Sequence, residues 1–501
     1  MGAPVTARAP EAGEVRHSAA GGVRASLGDS ALGQPRLAFG RTVALSVGIQ
    51  GPTAGVIVGP AVLAGIVGGS GALAYLLGLV AMSLVAYAFV VFSRSFNSAG
   101  SVYAYNGAAL GPSYGFVSAW VLLLVYVAFA AGVYASTADI AQALLGAWGL
   151  QVWWVWPALA GAAVALALAY LSIGLSSVVI FACEGLAVAL LAVVGAAVVV
   201  AGGAHHGSAL APGPFELHGV GLSVLGLGVV NAFGAFSGFE GAATLGEEAR
   251  RSTRTIPAAI AWSLVGSAAV YILFTWLTDN SYASPAALAA DPAPLAHLAR
   301  AHLGPAMGDL VDLAGVVSAF GAQLASLNAA NRILYALGRD VTAPGGRARR
   351  FLTRTSARHG SPTGALAVTG TASVATLVAF ASEHSALRAL TIIVEFGAYL
   401  MVVAYLLTVV AAIAWTWRGD RRPVRLALLG LGVAVLGYVL YDTFVPWPAA
   451  PFGWVVAAAG AGLVAGAALV ALPETRRRLG RSPLLVATRS RRGALAPGGE
   501  A

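Results

Sequence analysis

Three glutamates stand inside otherwise apolar runs of this chain: Glu184, Glu240 and Glu395. An acid held away from water is costly, and such groups usually face a pathway, pair with a partner or carry a proton. Glu240 lies in FGAFSGFEGAATLGEEARRSTRTIP, from Phe233 to Pro257. That stretch is broken by Gly234, Gly238 and Gly241, and turns abruptly charged before Pro257. A second apolar run contains GIQGPTAGVIVGP, from Gly48 to Pro60. There Pro52 lacks a backbone donor and disfavours a helical residue before it, while Gly48, Gly51, Gly55 and Gly59 loosen the helix.

A helix that opens its backbone frees amides at the start of one half, which suit an anion, and carbonyls at the end of the other, which suit a cation. Both together describe a zwitterion such as an amino acid. The competing reading is packing, because small residues spaced as Gly51, Gly55 and Gly59 are also let helices approach closely. Two breaks at matching places weigh towards a binding site.

Other chemistries find little support. No Gly-rich phosphate loop with a lysine is present, and the chain has no lysine at all. The single cysteine, Cys183, excludes an intramolecular disulfide and a cysteine-cluster metal site. The adjacent His205 and His206 read as solvated loop residues. No enzyme activity, metal or cofactor is expected. The net charge of +9 comes from arginines in short loops between apolar runs, which fits a membrane-orientation signal better than nucleic-acid binding.

Of the 501 residues, 58% are hydrophobic and 10% charged, against about 25% charged in an ordinary soluble chain. The pattern predicts an all-α integral membrane protein with about twelve spans of roughly twenty residues each. They fall near 43–67, 73–92, 113–145, 153–171, 178–200, 222–245, 256–277, 310–337, 366–380, 390–417, 426–440 and 454–472. The breaks occupy spans one and six, the first members of two groups of five that start from opposite sides. This predicts a first inverted repeat over 41–202, a second over 203–420, two further helices over 421–473, and tails at 1–40 (disordered) and 474–501. Arginines cluster in alternate loops, with only Arg300 and Arg388 on the other side. That asymmetry places both termini in the cytosol.

Three stretches together resemble the amino acid–polyamine–organocation permeases: FSGFEGAATLGEEARRSTRTIPAAI from Phe236, NSAGSVYAYNGAALGP from Asn97, and LNAANRILYALGRD from Leu327. The resemblance spans about residues 40 to 420 and implies the five-plus-five inverted-repeat fold. It also implies that the amides of Thr53, Ala54 and Gly55 hold a substrate carboxylate. The unwound Gly234, Ala235 and Ser237 would hold its amino group, with Gly238 in the same break, and Phe233 or Phe236 would gate the site. The chain departs from the family pattern in VTAPGG after Asp340. It also lacks the span-five lysine that some proton-driven relatives carry.

The expected protein is therefore a secondary active transporter of amino acids or related amines in the cytoplasmic membrane, working by alternating access. Proton-coupled symport is the leading mode, with Glu240, Glu184 and Glu395 as coupling or gating groups. Exchange and sodium symport are the alternatives, the latter through Ser318, Ser326 and Asn328 of span eight. A membrane sensor with the same fold is the non-transport reading. The expected partners are a small-molecule substrate and the lipid bilayer, with no nucleic acid. Arg332 is expected to snorkel or pair.

Overall fold

The structure, a computed structural model, describes residues 37–96, 98, 100–147, 149–202, 208–419 and 421–479. His205, His206 and most of both tails lie outside these residues. Among the described residues regular structure is helical, and one isolated parallel bridge joins Leu37 to Ala249. Helices are what long apolar runs must form where water is absent, because they close every backbone hydrogen bond within the segment.

Among the described residues ten segments are long and apolar enough to cross a membrane. In chain order the helices are α1 (Phe39–Gln50), α2 (Pro52–Val67), α3 (Gly71–Ser93), α4 (Val102–Leu110), α5 (Pro112–Ala147), α6 (Val155–Leu171) and α7 (Ile173–Ala201). There follow α8 (Leu222–Ala235), α9 (Ser252–Ser281), α10 (Pro285–Ala289), α11 (Pro294–Leu303) and α12 (Pro305–Val341). The remainder are α13 (Arg347–Leu352), α14 (Thr363–Ala379), α15 (Ala386–Arg418), α16 (Pro423–Phe444), α17 (Phe452–Ala471) and α18 (Pro473–Leu479). The expected fourth and ninth spans, α6 and α14, are apolar but only 17 residues long. At 1.5 Å per residue each reaches about 25 Å, short of a roughly 30 Å hydrocarbon core.

The longest helices, α5 and α12, have 36 and 37 residues and pack against each other at the centre. From Gly321 to Ile333, α12 is buried on every face. A helix enclosed all round belongs in the core of a bundle. Ordered structure is already present before residue 41, since Leu37 pairs with the 248–250 backbone and α1 begins at Phe39. The C-terminal tail likewise begins as helix α18, whose Arg478 reaches the Val341 carbonyl. Both described ends thus lie on the face that carries the arginine-rich turns.

Candidate functional site: two helix breaks

The first break is a single residue. Helix α1 ends at Gln50, Gly51 turns the chain at φ 50°, and Pro52 starts α2 at once. An L-residue with a side chain is strained in that left-handed region, whereas glycine is not. Proline then suits the first helical position, where no amide bond is missed. Helix α2 accordingly presents a fresh N-terminus in the middle of a membrane-length segment.

Its first amides are already engaged. The Thr53 amide and hydroxyl both donate to Glu184 Oε1 of α7, at 2.9 and 2.8 Å. The Ala54 amide donates to Ser318 Oγ of α12 at 3.1 Å, and that hydroxyl donates to Glu184 Oε2 at 2.6 Å. The Gly55 amide closes the first helical turn onto the Gly51 carbonyl. Three donors, the Thr53 amide and hydroxyl and the Ser318 hydroxyl, thus converge on the Glu184 carboxylate. Thr53, Ala54 and Gly55 therefore form the N-terminal turn of α2, and the carboxylate seated on it is that of Glu184.

Gly55 serves a second purpose. A Cβ there would lie 2.4 Å from the Tyr271 hydroxyl, so only glycine lets this tyrosine close over the break. Tyr271 donates to the Gln50 carbonyl and stacks on Tyr75 at 5.0 Å between centroids. Phe236 meets both rings edge-on, and all three rings are buried.

The second break falls within the expected Phe233–Glu240 stretch but begins later than its first glycine. Gly234 and Ala235, expected in unwound backbone, belong to α8, which runs to Ala235. The helix is lost after Phe236, because Gly238 adopts φ 104°, and the chain continues as a 3-10 turn from Phe239 to Leu245. The Gly234 carbonyl accepts the Ser237 amide. Phe233 is buried but is not part of the aromatic trio, to which Phe236 belongs.

Carbonyls freed at this break meet side chains of α1. Gln50 Nε2 donates to the Phe236 carbonyl at 3.1 Å, and Ser46 Oγ to the Phe239 carbonyl at 2.7 Å. Ser46 also accepts the Ala242 amide, and Ser267 donates to Gln50 Oε1. Ser46 and Gln50, one turn apart, thus tie the two breaks together. Their only trace in the sequence is a pair of polar residues on one face of an apolar helix.

Glu240 is fully buried within this break. Tyr126 of α5 and Tyr405 of α15 donate to its two oxygens at 2.6 Å each, and the Gly238 amide donates to Oε2 at 3.2 Å. It holds the unwound stretch against two other helices. Glu395 is bonded to Tyr399 one turn along α15, rather than to either break.

The charged turn after the second break meets the end of α12. Arg332 is 2% exposed and makes a two-pronged ion pair with Glu248, at 2.6 and 3.1 Å. Arg339 pairs with Glu247 and with Asp340. The Leu37 amide donates to the Glu248 carbonyl. This knot ties the turn after the second break to the arginine-rich end of α12. Arg332 pairs rather than snorkels, because the acid reaches it inside the protein.

The chain's sequence matches the amino acid permease family model over residues 37–468. It is also 31% identical over 397 residues to uncharacterized transporters of Mycobacterium bovis and of two strains of Mycobacterium tuberculosis. Each alignment covers 77% of this chain and 82% of the relative. With its membrane-length helices and its paired mid-segment breaks, this chain belongs to the amino acid permease family, and is a multi-pass membrane transporter.

Proposed function

We propose that this protein moves amino acids or related amines across the cytoplasmic membrane by alternating access around the breaks at Gly51 and Gly238. The observation that carries the reading is the joining of those breaks, where Gln50 at the end of α1 donates to the Phe236 carbonyl at the end of α8. Irregular backbone at membrane depth survives only where protein or a cavity covers it, and in transporters such breaks hold the substrate. The lengths of the elements support two repeats of five. The longest helices are third in each group, and the 17-residue helices are fourth in each. In this reading α6 and α14 complete twelve spans, and both termini face the cytosol.

The ion-pair knot of Arg332, Glu248, Arg339 and Glu247 is then the inner gate, released when the site opens to the cytosol. A proton gradient is the driving force in this reading, motivated by the acids buried in the spans. Proteoliposomes loaded with the purified protein test both halves. The expected result is accumulation of labelled amino acids or amines that changes with an imposed pH gradient. Uptake that ignores the gradient removes the coupling, and no uptake of any substrate removes the transport reading.

A further inference from the structure

Helix α2 begins inside the bundle with its positive end, and the group seated there is the chain's own Glu184. Among the described residues no arginine or histidine pairs with this acid. It is buried at 6% exposure, and its partners Thr53 and Ser318 are neutral. A buried carboxylate with no counter-cation is expensive, and a helix end supplies only about half a charge. A carboxylate has about four lone-pair positions. Three are filled here by the Thr53 amide, the Thr53 hydroxyl and the Ser318 hydroxyl, which leaves one on Oε2.

A substrate carboxylate has no amide left to bind. Thr53 donates to Glu184, Ala54 to Ser318 and Gly55 to Gly51. It would also stand within a few ångströms of a second anion in a medium that screens poorly. An ammonium group meets the opposite situation, a carboxylate with an open position and no cation. Over Gly55 lies the buried ring of Tyr271, with Tyr75 and Phe236 packed against it. Aromatic faces favour a cation and the apolar chain that carries it.

We infer that Glu184 is a resident carboxylate standing where a substrate's own would go, so that the transported molecule is an amine without an α-carboxylate, its ammonium held on Glu184. This inference rests on the transporter reading above and narrows it. Asn, Gln or Leu at this position would restore a site for amino acids only by freeing Thr53, which makes the glutamate itself the determinant of specificity.

Paired substrates test it on the wild-type protein in proteoliposomes: putrescine against ornithine, agmatine against arginine, and phenethylamine against phenylalanine. The expected result is that the amine of at least one pair is taken up at least ten-fold more efficiently than its parent amino acid. It should also raise the melting temperature of the purified protein, as a ligand of the native state must. Glu184→Gln, which keeps the shape and removes the charge, should weaken that amine's binding at least ten-fold. Preference for the amino acid in every pair overturns the inference and leaves the transporter standing. Undiminished amine binding by Glu184→Gln also overturns it. No uptake of any of the six compounds also overturns the inference, while the transport reading is decided by the wider substrate panel above.

Discussion

Both breaks turn on a glycine with positive φ and both hold a buried glutamate, yet they are built for different work. At Gly51 the helix restarts within one residue, so its new N-terminus projects amides at a group from another helix. At Gly238 no α-helix restarts, and the freed groups are absorbed by Ser46, Gln50 and a glutamate of the same segment. Glu240 is gripped by two phenols and its own backbone, all buried. Glu184 rests on a helix end and a serine, with one position open. The contrast teaches that buried acids at two matching breaks can be held in different ways. Glu240 is tied to its own segment as well as to α5 and α15, whereas Glu184 is tied to α2 and α12 alone.

The largest effect should come from the glycines. Gly238→Leu forces a side chain onto a backbone at φ 104°, with its Cβ 2.3 Å from Ile49 Cγ2. Gly55→Leu drives into Tyr271. Both should abolish uptake while the protein still reaches the membrane, as seen by transport assay and by membrane fractionation. Normal uptake by both would refute the breaks as the site.

Next comes the knot at the arginine-rich end of α12. Arg332→Met leaves Glu248 buried without its partner, which typically costs about 3–5 kcal/mol. Thermal melting in detergent should register a clear drop, and the double variant Arg332→Met with Glu248→Leu should recover most of it. A drop that the second change does not relieve would mean that the pair matters for something other than its charge.

A smaller effect is expected from Ser46→Ala. It removes two buried hydrogen bonds, one to the Phe239 carbonyl and one from the Ala242 amide, each worth about 0.5–1.5 kcal/mol net. The melting temperature should fall by less than in Arg332→Met, and substrate binding should weaken with it because the breaks are no longer held together. An unchanged protein would show that Ser46 does not hold the two breaks together.

Much of this was legible in the sequence, for reasons that differ residue by residue. The apolar runs announce the helices, and Gly51–Pro52 announces the first break because those two residues act on their own backbone. The second break lies inside the expected Phe233–Glu240 stretch, but which of its glycines makes the turn is not legible, since a glycine says that a turn is allowed and not that it is made there; Gly238 makes it. Glu184 was visible as a buried acid. Its seat on Thr53 was not, because the two are 131 positions apart and only packing brings them together. The same holds for GEEARR and ANRILYALGRD, two motifs of the family resemblance. They turn out to be the two halves of one ion-pair knot.

The central claim is that the first break exchanges ligands while the second holds the fold. The most direct test is to melt purified wild type, Glu184→Gln and Glu240→Gln with and without a transported amine such as putrescine or agmatine. Glu240→Gln should melt lower, by the loss of about 1–3 kcal/mol as charge-assisted hydrogen bonds become neutral ones, and should keep the ligand-induced rise. Glu184→Gln should lose that rise, whatever its own melting temperature. A rise kept in Glu184→Gln and lost in Glu240→Gln would contradict the account.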